Sequence, residues 1–222
     1  MRDSYERFLD TVNIAPADLF RFGIDEIIAV PVNRATDEWE SLKRRVISNE
    51  AVIIRSFGRQ GSNSRLFQEL YEAVFGNENV VIDKTNNAAP TKLLRDFTGF
   101  AKTKKNGCEQ LRNYQISHVF GRTKNPFAFT APWNIVYLPK IIDPFTGHEA
   151  KGSLSDEFQI QFRTHIYNMF EPLIEDFNSI VTDNNLLSLI GAFIDTIEPA
   201  DQQARLRTAV NDEFRPITAK TA

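Results

Sequence analysis

The stretch YQISHVFGRTKNPFAFTAPWNIVYLPKIIDPFTGHEAKG, residues 114–152, holds two of the chain's three histidines, His118 and His148, with Asn134 between them. A neutral imidazole is a competent general base near pH 7, because its unperturbed pKa is about 6.5. Imidazole, amide oxygen and carboxylate also ligate divalent cations while leaving positions open to a phosphate oxygen. Hydrolysis of a phosphodiester needs a base to take a proton from water and a cation to offset the charge that develops on phosphate. Asp143 and Glu149 are carboxylates close in sequence to His148 and are candidate metal ligands, with Gln115 and Ser117 as weaker ones.

Charge around this stretch favours a polyanionic substrate. The chain of 222 residues has a formal net charge of −3, yet Lys92 to Lys124 carries eight basic residues against Asp96 and Glu109. Such a local excess attracts phosphates. Lys102, Lys104, Lys105, Arg112, Arg122 and Lys124 are therefore candidate DNA-backbone contacts. Upstream, RSFGRQGSNSR places Arg55, Arg59 and Arg65 around two glycines before a helix start. Loop amides and arginines suit phosphate there, and Arg59 joins the candidate contacts.

Fixed elements must position these groups. NYQISHVF alternates and is rich in β-branched and aromatic residues, which predicts a strand leading into His118. GRTKNPFAFTAP is broken by Gly121, Pro126 and Pro132 and reads as a long ordered loop, with Phe127 and Phe129 as core anchors. NIVYLPKII predicts a second strand with Asn134 at its entrance. Thr146 with Glu149, or Asp143 with Pro144, then predicts a helix whose first turn contains His148.

Further out, short strands are expected at 51–57 and 80–83, and an interrupted one at 24–32. Helices are expected at 3–12, 37–48, from Ser62 or Asn63 to Phe75, and from Pro90 to about Lys102. KTKKNG at 102–107 reads as a loop. Phe158, Phe162, Ile166, Met169, Phe170, Leu173 and Phe177 form one apolar stripe of a long helix, bent or ended near Pro172. Two more helices follow at 184–197 and 199–214. The sum is one α+β domain over residues 1–222: a mixed support region to 105, a ββα-like unit at 106–152, and a helical region at 153–222.

The His–Asn–His order on a strand–loop–strand–helix unit resembles the HNH nuclease family, whose motif is a ββα-metal finger. ISH is similar to its first motif, PWNIVYLPK to its asparagine segment, and GHEAKG to its helical end. The resemblance implies His118 as general base and Asn134 as the residue that orients it and holds the loop. It implies His148 as a ligand of magnesium, manganese or zinc. Ser117 stands where many members carry an acidic residue or second histidine, and the paired CxxC motifs that brace many members are absent. The implied activity is endonucleolytic cleavage of DNA, of a restriction or defence type, and a homodimer would let two sites cut both strands.

Two other chemistries fit parts of the same stretch. Glu149-Ala-Lys151 matches the (D/E)-x-K half of another metal-dependent nuclease pattern, with Asp143 or Asp83 as partner acid. Alternatively, the basic segment binds DNA or RNA without catalysis and the histidines staple a hairpin. The acidic C-terminal helices would suit a protein partner. His165, inside the long helix, reads as structural. The lone Cys108 excludes an internal disulfide and a site of several thiolates, and with a charged, leaderless start it predicts a cytoplasmic home. No apolar run approaches the roughly 18 residues of a membrane span.

Overall fold

A computed structural model describes residues 2–56, 64–147 and 149–219. Helix α1, Ser4–Val12, opens where Asp3 Oδ1 accepts from the amides of Tyr5 and Glu6, and closes at Asn13 in the left-handed region. Helix α2, Pro16–Asp25, has proline in its first turn, where a missing N–H costs nothing. The strand expected at 24–32 does not form. Helix α2 runs through Asp25 and α3, Val32–Ile47, starts directly after Pro31, which leaves only Ile28 to pair with Tyr137.

Strand β1, Val52–Arg55, pairs in parallel with β2, Val80–Asp83, and α4, Ser64–Phe75, forms the crossover between them. Helix α5, Ala88–Thr98, stops before the predicted Lys102, because Gly99 at φ 76° ends it and the chain turns into β3, Phe100–Ala101. That short strand pairs in parallel with β4, Glu109–Gln110, across the KTKKNG turn segment. The next pair holds the histidine: β5, Tyr114–His118, and β6, Ile135–Pro139, are antiparallel with His118 opposite Ile135.

The helix expected from Asp143 or Thr146 is a single 3-10 turn, Asp143–Thr146, closed by Gly147 at φ 93°. Helix α6, Ser153–Val181, begins after Gly152 without a side-chain cap. It departs from helical geometry at Phe170, two residues before Pro172, whose ring and missing N–H break the local ladder. Helices α7, Asn184–Asp195, and α8, Ala200–Glu213, complete an α+β architecture.

Strand β6 is buried along its whole length, as a strand covered on both faces should be. Its flank is an aromatic cluster: Trp133 lies 5.7 Å from Trp39 and 5.1 Å from Phe177 between ring centroids. Phe158, Phe162, Ile166, Phe170, Ile174 and Phe177 bring the α6 stripe onto the same core. Each such side chain contributes roughly 1.5–3 kcal/mol on full burial. Trp133, just before β6, thus sits between α3 and α6, while β6 itself packs against α5, and most of the loop joining the two strands is buried as well.

Candidate active site

His118 ends β5, half-buried, with its ring stacked on Phe129 at 5.2 Å and 10° between planes. Its Nε2 lies 3.0 Å from Phe129 O. A backbone carbonyl only accepts, so Nε2 carries the proton, and in the neutral ring the lone pair resides on Nδ1. One contact therefore fixes both the plane of the imidazole and its tautomer. That is the arrangement a general base needs.

Residues 119–134 hold Phe129 in place through a set of bonds to their own backbone and to distant elements. Asn134 is fully buried, and all three bonds of its amide go to this loop. Its Oδ1 accepts from Phe120 N at 3.0 Å, and its Nδ2 donates to Gly121 O at 2.8 Å and Ala128 O at 2.9 Å. Asn125, equally buried, accepts from Phe127 N and donates to Glu213 O. Tyr71 Oη donates to Lys124 O, and Arg55 N to Thr123 O. Glu213 Oε2 accepts from the amides of both Lys124, at 2.9 Å, and Asn125, at 3.2 Å. Burial pushes the Glu213 carboxyl above its ordinary range, against those amides and the charges of Lys124 and Arg122, which pull it down.

The candidate metal ligands are placed less convergently. Gln115 Nε2 donates to Asp143 Oδ2. Gln115 and His118 have opposite parity in β5, and alternate residues of a strand face opposite sides. Glu149 and Lys151 are exposed, and Ser117 is buried. His148 lies outside the described residues. Among the described residues no three His, Cys, Asp or Glu side chains are grouped to hold a metal ion, so they do not by themselves complete a ligand set.

The candidate backbone contacts divide in two. Lys102, Lys104, Lys105 and Arg112 are exposed and, among the described residues, form no ion pairs. Arg122 and Lys124 are half-buried; Arg122 Nε donates to Arg215 O at 3.1 Å, and the Lys124 ammonium sits 5.7 Å from the Phe67 ring centre. Burial, above all, lowers the pKa of both. Arg59 lies outside the described residues. Phe127, Phe129 and Trp133 are all buried in the core, so none offers a face to a base. Trp133 Nε1 has no hydrogen-bond partner among the described residues.

Sequence reasoning missed Phe129 and Glu213. Phe129 acts through its carbonyl, a group every residue has, so no residue type marks it. Glu213 had a faint mark, a carboxylate on the last turn of a helix, where the dipole disfavours it.

A model of the family described as uncharacterised protein PM1201 matches residues 30–219, which include every candidate site residue. An uncharacterised protein of Pasteurella multocida (strain Pm70), PM1201, is 42% identical over 181 residues, covering 81% of this chain and 80% of the relative. No solved structure matches the chain.

Proposed function

We propose that this chain, which belongs to the PM1201 family, is a metal-dependent endonuclease that hydrolyses phosphodiester bonds of DNA. The observation that supports this reading is the bond from His118 Nε2 to Phe129 O, which orients the ring and puts the neutral imidazole's proton on Nε2 and its lone pair on Nδ1. In the proposed step Nδ1 takes a proton from water as the water oxygen bonds to phosphorus and the P–O bond to the leaving oxygen breaks. Asn134 acts at one remove, holding the loop whose carbonyl orients the ring. A divalent cation, magnesium or manganese, would supply positive charge to the phosphate oxygens, with His148 and Glu149 proposed to bind it. Lys102, Lys104, Lys105 and Arg112 would contact the backbone.

The test is cleavage of supercoiled plasmid by the purified protein with magnesium, manganese or excess chelator. His118→Ala should lower the rate at least about 100-fold, the usual contribution of a positioned acid–base group, while its melting temperature stays near that of the parent. Cutting that survives in His118→Ala but not in Glu149→Gln and Lys151→Ala would transfer the chemistry to the Glu149-Ala-Lys151 segment. The unpaired exposed cations favour one second reading, a DNA- or RNA-binding module with no catalysis. Salt-sensitive binding with no cleavage under any metal is its signature.

A further inference from the structure

Helices α3 and α5 and strand β1 enclose a pocket. Glu38, Leu42 and Arg45 recur along α3, and Ala89, Leu93 and Phe97 along α5, at the three- and four-residue steps that share a helix face. With Val52 and Ile53 of β1 and Thr130 from the loop before β6, they line a volume of about 350 Å³. Pockets for small molecules run from roughly 300 to 1,000 Å³. Leu42, Val52 and Leu93 are buried in its lining, so the apolar body of a guest is stabilised against them.

The charges of the pocket are already paired. Arg45 Nη2 lies 2.7 Å from Glu38 Oε1, and Lys92 Nζ lies 2.9 Å from Asp96 Oδ2. A bare anion would have to take either cation from its carboxylate.

The groups that lack a partner are neutral. Thr130 is 8% exposed, and its hydroxyl forms no hydrogen bond among the described residues. Buried polar groups are nearly always satisfied, and a guest in the pocket that Thr130 lines would satisfy this one. The edge of β1 offers two more. Val52 N donates to Asn79 O, beside β2, whereas Arg55 N donates to Thr123 O on the opposite edge. Backbone groups of successive strand residues alternate between the two edges, so Ile53 turns its N–H and C=O the same way as Arg55. Neither has a partner there among the described residues.

A donor, an acceptor and a hydroxyl beside an apolar lining select a neutral molecule whose edge both donates and accepts. Nucleobases carry such edges. Asp96, the more exposed of the two acids, can accept from sugar hydroxyls. We propose that this pocket binds a nucleoside, its base edge on the Ile53 backbone and the Thr130 hydroxyl and its body against Leu42, Val52 and Leu93. The site is separate from the endonuclease reading, since His118, His148 and Glu149 do not line it.

The experiment records amide NMR spectra of the whole protein during titration with adenosine, guanosine, cytidine and uridine in turn. Ribose 5-phosphate serves as the anionic probe without a base, and each titration is run at low and high salt. At least one nucleoside should shift the Ile53 and Thr130 amides to saturation, alike at both salt concentrations, because no net charge is exchanged. Thr130→Val keeps the shape and removes a hydroxyl that holds nothing in the protein, so affinity should fall about fivefold at an unchanged melting temperature. Ala51→Trp, at an exposed position of the lining, should abolish the shifts by filling the entrance. No shift with any nucleoside, or unchanged affinity in both variants, would overturn the proposal. Ribose 5-phosphate binding there in place of the nucleosides, and weakening with salt, would also overturn it and make the pocket an anion site. No DNA or metal enters the assay, so its failure and that of the cleavage assay are separate results.

Discussion

A carbonyl oxygen can only accept, so Phe129 O obliges His118 Nε2 to hold the proton. Nothing about this depends on the phenylalanine side chain except the stacking that keeps the ring parallel. Phe129→Leu should therefore leave the tautomer in place and loosen the ring, which nitrogen NMR of the imidazole would report as an unchanged tautomer with a broader Nε2–H signal. Asn134 makes the opposite case, since its side chain is the staple. Asn134→Ala removes the side-chain partner of Phe120 N and Gly121 O and one of the two donors to Ala128 O, which keeps Ala131 N at 3.3 Å. Urea unfolding should show a loss of roughly 2–4 kcal/mol, given about 1–3 kcal/mol for a buried orphaned group. Asn134→Asp should be no milder, because a second acceptor oxygen would face two carbonyls. The resemblance gave Asn134 the part of holding the loop, and its amide does bond the loop's backbone. Its exclusive service to the loop was not legible, because the partners are backbone atoms.

At the scale of elements, the periodic and capped segments were readable and the short or overlapping ones were not. The α6 stripe and its break near Pro172 follow from spacing and from proline's missing donor. Strands β3 and β4, two residues each, have no period to detect, and they pair only with each other. Asp83, at the end of β2, illustrates a capping role that spacing hides. It accepts from Thr85 N, Thr85 Oγ1 and Ala89 N, and so holds the start of α5, whose own Asn87 gives no side-chain cap. Burial pushes its carboxyl up, but these donors outweigh burial and hold it below the ordinary aspartate range. Between the two values the unfolded chain binds more protons, so stability rises with pH there. The contribution is complete above the ordinary aspartate range and is lost as pH falls through the folded value. Asp83→Asn should therefore lower the melting temperature at neutral pH and flatten the acid side of the curve relative to the parent.

At the scale of the whole molecule, a net charge of −3 conceals a division of labour among cations. Lys102, Lys104, Lys105 and Arg112 stand exposed, whereas Arg122 and Lys124 are drawn into the support of the loop. Composition could mark the basic segment but could not sort its members, because burial is decided by elements nearly a hundred residues away. Replacing Lys102, Lys104 and Lys105 by glutamine should weaken DNA binding without regard to sequence and lower the salt slope by up to about three, if each meets one phosphate. Folding should be unaffected, since none of the three holds another group.

The clip from Glu213 to the amides of Lys124 and Asn125 spans 89 and 88 residues of chain. A contact that distant forms late, after the entropy of closing the intervening segment has been met. During synthesis, β5, the loop and β6 leave the ribosome well before residue 213 exists. The carbonyl that aims His118 therefore sits in an unclipped loop on every nascent chain. On the endonuclease reading proposed above, the base would be aimed only once α8 is in place, so a nascent chain would be held inactive until then.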